Sequence, residues 1–302
     1  MINLHYVLGG LVLIAFSCKK PEPVPPPSPD AAALILFSSE KVGEATQHFT
    51  EDATLPIAVT GSKGTGLYLP ANSLVDSEGN LVTGNVDIEL IEITQKSEMV
   101  LLEKPTNGKM ADGTIAPLNS AGELFIRITQ LGNELTLTTP MSVSLYTTHY
   151  SPHLRKFVDT STDDDILWEI ANDSIITFEE EGGFVILGFD ILPNEWGWVN
   201  CDFFKDDPRP KTSCNVTLPE GFSIENTNVF VSIDGENALA QFGSSYEFPI
   251  GADVHFVAIG IVDDAVHYSI QEATITDNHV ENIDGFAAVS ESTLVTLIEA
   301  LP

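Results

Sequence analysis

Apolar and polar residues alternate in short segments from residue 55 onward, and this alternation predicts β-strands. Residues 123–130 place aliphatic side chains on one face of such a strand and polar or aromatic ones on the other. In residues 85–93 the alternation changes parity at Leu90 and Ile91. Because one extra residue reverses the direction of every later side chain, this change predicts a bulge or the end of the strand.

Turn sequences, rather than helices, separate the predicted strands. Glycine, asparagine and aspartate provide the backbone conformations that tight turns need. These residues recur at 76–80, 108, 112–113, 132–133, 234–235 and 277–278. Strands spaced in this way, without helical patterns between them, predict an all-β protein made of antiparallel β-sandwiches.

The strand pattern is interrupted between residues 149 and 164 by histidine, proline and a block of acidic residues. This interruption predicts a linker between an N-terminal sandwich module, 45–148, and a C-terminal one, 165–302. A short helix is expected near residues 38–48. A second short helix is expected at the C-terminus, 291–300, where Leu294 and Ile298 follow helical spacing and would pack on a sheet.

The N-terminus has the features of an export signal. Residues 7–16 form an apolar run that is too short to span a bilayer. Its length and position are typical of the hydrophobic region of a secretory signal peptide, here residues 1–17. Ala15 and Ser17 provide the small side chains that a signal peptidase needs, so cleavage is expected before Cys18.

An apolar run that ends in a small residue and then a cysteine resembles the lipobox of bacterial lipoproteins. The resemblance implies acylation of the thiol and the new amino group of Cys18, which would anchor the protein in a membrane. Six of residues 21–30 are proline, so an extended spacer is expected to follow the anchor within residues 18–44. Secretion with a free Cys18 remains the alternative.

Export also bears on the other two cysteines, Cys201 and Cys214. An oxidising compartment favours a disulfide between them. The bridge would close a loop that is polar and broken by proline. A metal site formed by the two thiols is less favoured, because no histidine lies between them.

Acidic residues outnumber basic ones by 44 to 13, which gives a net charge of −31. This balance argues against nucleic acid as a partner, because lysine and arginine are needed to bind the phosphate backbone. Of the 302 residues, 43% are hydrophobic. The chain can therefore form the cores of one large or two ordinary domains.

Several longer segments are similar to one protein family. This family consists of uncharacterised surface lipoproteins of Bacteroidota. Its first module is similar to residues 64–93 and 119–129 of this chain, and its second module is similar to residues 196–204. Residues 17–20, SCKK, are also typical of lipoproteins in that phylum. The resemblance implies a lipid-anchored protein at the outer membrane or the cell surface, with the periplasmic face of the membrane as the alternative location. It brings no catalytic residue.

Trp196 and Trp198 are the main candidates for ligand binding. Residues two apart on a strand face the same side, so the two rings could form a platform on which sugar rings stack. Packing in the core beside the predicted disulfide is the favoured interpretation, because aromatic side chains dominate sandwich cores.

The remaining polar clusters are expected to be structural. Neither the pair His149 and His153 nor the evenly spaced His255, His267 and His279 follows a metal-binding pattern. Four acidic clusters could supply oxygen ligands to calcium but lack the order of a calcium-binding loop: 163–165, 179–181, 206–207 and 263–264. We expect no catalytic residue, no metal site and no cofactor.

These patterns together predict an exported, lipid-anchored envelope protein that acts as a non-enzymatic binding or structural module, with a protein or a glycan as its ligand. The alternative is a hydrolase, or a calcium-dependent enzyme or adhesin, with a site in the C-terminal module. That alternative requires a pocket in which carboxylates or histidines converge.

Overall fold

The computed structural model describes residues 27–161, 166–171, 176–181, 184–193, 195–242 and 247–302. The helices in these residues are α1 (Pro29–Ala45), α2 (Lys96–Leu101) and α3 (Glu291–Glu299). The strands before residue 205 are β1 (Gln47–Asp52), β2 (Ile57–Thr60), β3 (Gly66–Leu69), β4 (Leu74–Val75), β5 (Asn85–Ile93), β6 (Asn107–Lys109), β7 (Ile115–Gln130), β8 (Asn133–Glu134), β9 (Thr136–Leu137), β10 (Met141–Thr147), β11 (Arg155–Asp159), β12 (Trp168–Ile170), β13 (Thr177–Glu181), β14 (Phe184–Ile191) and β15 (Gly197–Phe204). The later strands are β16 (Lys211–Thr217), β17 (Thr227–Ile233), β18 (Leu239–Gln241), β19 (Glu247–Pro249), β20 (Asp253–Val262), β21 (Ala265–Thr274), β22 (His279–Asn282) and β23 (Ala287–Ala288).

The strands before residue 205 form the first β-sandwich. One sheet has the order β1-β5-β7-β15-β11-β12-β6, with β8 paired to β7, and the facing sheet has the order β13-β14-β10-β3-β2. Strands β4 and β9 form a separate two-stranded sheet. Aliphatic side chains of both large sheets meet in one core, for example Ile88, Ile126 and Leu145. Their alternation with polar residues is the signal that predicts the strands.

The larger sheet of this sandwich closes on itself at one end. Strand β6 pairs with both β12 and β7, so β7, β15, β11, β12 and β6 form a ring of five strands. Leu118, Phe157, Ile166 and Trp168 form a separate buried cluster within this ring. The Nε1 atom of Trp168 donates a hydrogen bond to the carbonyl oxygen of Pro105 at 2.9 Å.

Strands β16 to β23 form the second sandwich. Its sheets have the orders β18-β17-β20-β21-β23 and β19-β16-β22, and Phe248 and Phe256 lie in the core between them. The other face of the larger sheet packs on the first module. There Phe230 and Val257 share a buried cluster with Ile91 of β5 and with side chains of α1, α2 and α3. The two modules are therefore joined by an apolar contact.

The predicted fold class is confirmed. The protein is mostly β-sheet, the sheets are antiparallel except for the β12–β6 and β16–β22 pairs, and a short helix stands at the C-terminus. Leu294 and Ile298, the residues that predict α3, are fully buried. Among the described residues, no helix combines the length and the apolar character that a membrane span requires.

The division between the modules differs from the predicted linker at 149–164. Those residues lie between β10 and β12 of the first sandwich. Strand β14 pairs with β10 and β15 pairs with β7, so strands up to Phe204 belong to the first module. The chain enters the second module between Phe204 and Lys211. The described part of this segment, residues 149–161, thus contributes strand β11 and its flanking turns to the first sandwich and does not form a linker between the modules.

The predicted spacer within 18–44 also needs correction, because α1 occupies residues 29–45. The Ser28 side chain accepts a hydrogen bond from the backbone N–H of Ala31, and Pro29 starts the helix. Ala31 and Leu34 are buried, and Phe37 packs on the contact between the modules. The helix expected near residues 38–48 therefore begins earlier, at a serine cap within the proline-rich segment.

The parity change in residues 85–93 has a cause other than a bulge. Strand β5 pairs with β7 in unbroken register from Asp87 to Ile93. Leu90 faces the core of the first sandwich, whereas Ile91 and Ile93 face the contact between the modules. The end of the strand is buried on both faces, so the alternation stops without any extra residue.

Candidate functional site

The sheet β13-β14-β10-β3-β2 has one face in the core and the other towards solvent. On β10, Val143 and Leu145 enter the core while Ser144 and Tyr146 alternate with them on the outer side. On β3, Tyr68 takes the corresponding outward position. We call the outer side of β14, β10 and β3, with these two tyrosines, the tyrosine face.

Both tyrosine rings protrude from this face. Tyr68 is 49% exposed and Tyr146 is 41% exposed. In the strand register, Tyr68 lies opposite Ser142 of β10, and Tyr146 lies opposite Ile186 of β14. The ring of Tyr146 packs beside Gly64, where a Cβ atom would lie 3.2 Å from its Cδ2 atom. The two aromatic rings are thus held on one surface but at different places along the strands.

Small residues form the floor between the two rings. Ser144 lies opposite Gly66 on one side and Gly188 on the other. A Cβ atom at Gly66 would lie 2.5 Å from Oγ of Ser144, and one at Gly188 would lie 2.7 Å from Oγ1 of Thr177. The hydroxyl groups of Ser144 and Thr177 thus fill the space above the two glycines, and no large side chain rises from the surface between the tyrosines. Glycine inside a strand often marks close approach of this kind.

The polar groups of the face are hydroxyls and carboxylates. Ser142 donates a hydrogen bond to Oδ1 of Asp190 at 2.9 Å, and Thr177 donates to the carbonyl oxygen of Gly188 at 3.1 Å. The five strands of this sheet contain no lysine or arginine, whereas Glu179 and Asp190 add negative charge. The face therefore offers mainly hydrogen-bond acceptors and an acidic surface.

A second aromatic pair lies at the edge of the same sheet. The rings of Tyr150 and Phe178 are 4.8 Å apart between centroids, and the side chains are 37% and 53% exposed. Phe178 belongs to the edge strand β13. Four exposed aromatic side chains thus occur on or beside this sheet.

The predicted aromatic platform does not form. Trp196 packs against the core of the first sandwich, whereas Trp198 packs towards the contact between the modules, 5.3 Å from the ring of Phe125. Gly197 between them has a φ of 97°, which breaks the alternation that would place both rings on one side. The packing interpretation of the two tryptophans agrees with these positions, while the shared platform is contradicted.

The predicted disulfide is also contradicted. Cys201 and Cys214 are both free. Cys201 is buried in the core of the first sandwich and Cys214 packs against the core of the second. Burial raises the pKa of the Cys201 thiol well above its usual range, and burial together with Glu281 raises that of Cys214 to about 12. Cys201 therefore acts as a small apolar core residue, and the half-buried Cys214 packs against the edge of its core.

Two fully buried carboxyl groups lie where the modules meet. Glu123 of β7 is opposite Asn200 of β15, and Asp202 is opposite Ser120 across a local irregularity in the ladder. Oδ2 of Asp202 accepts a hydrogen bond from Asn200 at 2.6 Å. Oδ1 of Asp202 and both side-chain oxygens of Glu123 have no hydrogen-bond partner among the described residues. The side chain of Asn237, from the second module, donates to the carbonyl oxygen of Ser120 at 2.8 Å.

Burial raises the pKa of both carboxyl groups well above the usual range. For Glu123, the negative charges of Asp202 and Glu98 add to the effect of burial, and the positive charge of Lys104 opposes it. For Asp202, hydrogen bonds from Ser120 and Asn200 oppose the effect of burial. Because both groups are inaccessible to solvent, a substrate cannot reach them as they stand.

A cleft of about 220 Å³ lies between the modules, near α3. Lys96, His149, Asn237 and Leu301 are among its lining residues, and Glu123 and Asp202 are not. Burial lowers the pKa of Lys96 and of His149, and the charge of Lys96 lowers that of His149 further. The Lys96 amino group already donates to the carbonyl oxygen of Pro302 at 2.8 Å.

The predicted histidine and acidic candidates are separated in the structure. His255 pairs with Asp234, with Nδ1 and Oδ1 2.7 Å apart, and His279 contacts Glu281. Hydrogen bonds from Arg209 lower the pKa of Asp207 to about 2. In the part of the chain that the structure describes, no three histidine, cysteine, aspartate or glutamate side chains are placed to hold a metal. Cys18 and the acidic cluster 163–165 lie outside the described residues.

Sequence reasoning missed the tyrosine face, because neither Tyr68 nor Tyr146 belongs to a motif. The available signal was an aromatic residue at the outward position of an alternating strand, in residues 66–69 and 141–147. A comparison of the chain with protein-family models and with curated proteins gave no match.

Proposed function

We propose that this chain is an exported, lipid-anchored envelope protein that binds a ligand without transforming it. Cys18 would carry the lipid, and the proline-rich residues after it would hold the sandwiches away from the membrane. The outer membrane or the cell surface is the proposed location, with the periplasmic face as the alternative. The single observation that carries the binding role is the tyrosine face, which leaves two aromatic rings exposed on a sheet of a well-packed sandwich.

Accessibility supports binding over catalysis. The tyrosine face is open to a large ligand, whereas the acids with the most strongly raised pKa, Glu123 and Asp202, are sealed between the modules. General acid and base groups must come within hydrogen-bond distance of the reacting atoms. A hydrolase mechanism would require that the substrate could reach these carboxyl groups or others.

Replacing Cys18 by alanine should abolish incorporation of labelled fatty acid and should move the protein from the membrane fraction to the soluble fraction, since the acylated thiol is lost. The measurement is metabolic labelling followed by fractionation of the expressing bacterium. Cys214→Ala is the matched control, and it should remain labelled and membrane-bound. Unchanged labelling of the Cys18→Ala protein would contradict the anchor.

A further inference from the structure

We propose that the tyrosine face binds an uncharged glycan chain that lies across β10 and β3 and contacts both Tyr68 and Tyr146. This inference rests on the proposed binding function and names the ligand of its site. It is carried by the separation of the two rings, the chemistry of the groups between them and the charge of the sheet.

The separation of the rings requires an elongated ligand. Tyr146 lies four residues along β10 from Ser142, the residue opposite Tyr68. At a strand rise of about 3.4 Å per residue, the two tyrosine positions are separated by about 14 Å along the strands and by one strand spacing across them. A single sugar ring cannot touch both side chains, whereas a short run of linked sugars can.

The chemistry of the face fits a carbohydrate. A tyrosine ring presents an apolar face, against which the C–H side of a sugar ring can pack, and a hydroxyl that can exchange hydrogen bonds with it. Ser144 lies between the two tyrosine positions, while Ser142 and Asp190 lie level with Tyr68, and these residues supply hydroxyl and carboxylate oxygens. Sites of this kind combine apolar contact with a few placed polar groups that fix the orientation of the ligand.

A protein partner is disfavoured by the distribution of apolar area. Interfaces between proteins need a contiguous apolar centre. Here the two rings are separated by the low row of Gly66, Ser144 and Gly188, in which the only side chain is a hydroxyl group. The surface therefore offers two separate stacking positions with a polar floor between them.

The charge of the sheet selects among glycans. Glu179 and Asp190 lie on these strands, lysine and arginine are missing from them, and the whole chain carries a net charge of −31. Anionic polysaccharides would be repelled by such a surface. Sugar hydroxyls, by contrast, can donate hydrogen bonds to the carboxylate and hydroxyl oxygens of the face. The face is therefore complementary to a ligand without negative charge.

The test is native affinity electrophoresis of the full chain in gels that contain soluble starch, yeast mannan or hydroxyethyl cellulose, with polygalacturonate and heparin as anionic polymers. We expect retardation by at least one uncharged polymer and by neither anionic one. Tyr68→Ala and Tyr146→Ala should each lower the association constant obtained from the retardation by about threefold to tenfold. The double variant should show no retardation. Tyr68→Phe, which keeps the ring, should retain most of the binding.

Ile224→Ala is the control at an exposed apolar side chain of the second module, and it should bind as the wild-type protein does. Circular dichroism of each variant verifies the fold. Binding that survives in the double variant would overturn the assignment of the face, and retardation by the anionic polymers alone would overturn the assigned ligand class. If none of the three uncharged polymers retards the protein, the glycan inference is wrong. The lipid anchor is tested separately by the Cys18→Ala variant.

Discussion

Replacing Glu123 by glutamine should increase the free energy of unfolding by about 1–3 kcal/mol at pH 8, because folding then no longer requires a buried carboxyl group without hydrogen-bond partners to stay protonated or to be buried as an ion. Burial raises the folded-state pKa of Glu123 above its usual value. The stabilising contribution of this group is therefore fully present below the unfolded-state pKa and is lost as the pH rises through the folded-state pKa. Wild-type protein should accordingly lose stability from pH 4.5 towards pH 8 at this site, and the variant should lose less.

Urea unfolding at a series of pH values measures this difference. Asp202 has a raised pKa for the same reason, so Glu123→Gln should remove only a part of the pH dependence and Asp202→Asn a further part. Glu92→Gln is the matched control, and its expected change in the free energy of unfolding has the opposite sign. Although burial alone would raise the pKa of Glu92, hydrogen bonds from Thr65, Gln47 and Lys63 lower it, so this variant should be less stable at pH 8. An unchanged pH profile for Glu123→Gln would show that the carboxyl group is not buried as described.

Replacing Trp168 by alanine should lower the free energy of unfolding by about 3–5 kcal/mol. The side chain is completely buried within the ring of five strands, among Leu118, Phe157 and Ile166. Alanine would leave a cavity there and would also leave the carbonyl oxygen of Pro105 without its donor. Chemical denaturation monitored by circular dichroism measures the change.

Two variants test whether this loss comes from packing. Trp168→Phe keeps much of the volume and removes the hydrogen bond, so it should cost about 1–2 kcal/mol. Ile170→Ala, on the same strand but 56% exposed, should cost little. A loss of less than about 1 kcal/mol for Trp168→Ala would mean that the ring is not a packed core.

Local patterns were sufficient to predict the β-strands and the C-terminal helix, but not the start of α1, the short helix α2 or the partners of the strands. Alternation identifies β7 and β10, and the spacing of Leu294 and Ile298 identifies α3, because each signal lies within one segment. The pairing of β15 with β7 joins residues about eighty positions apart, and no local signal records it. The module boundary was misplaced for this reason, since the polar segment around the short strand β11 has a composition similar to that of a linker between two sandwiches.

The candidate site could be predicted only in part for a related reason. Trp196 and Trp198 are candidates because of their residue type and spacing. The backbone at Gly197, however, directs the two side chains to opposite sides. Tyr68 and Tyr146 are distant in sequence, and only the register of β3 on β10 brings them to one face. Cys201 and Cys214 are close in sequence, but consecutive strands carry them into different cores.

Isothermal titration of the full chain with the uncharged polysaccharide that retards it tests binding without turnover most directly. We predict heats that saturate and return to the baseline after each injection, and only the heat of dilution when Tyr68 and Tyr146 are both alanine. A sustained heat signal after injection, with shortened polysaccharide in the recovered sample, would contradict the account, and so would an unaltered isotherm for the double variant.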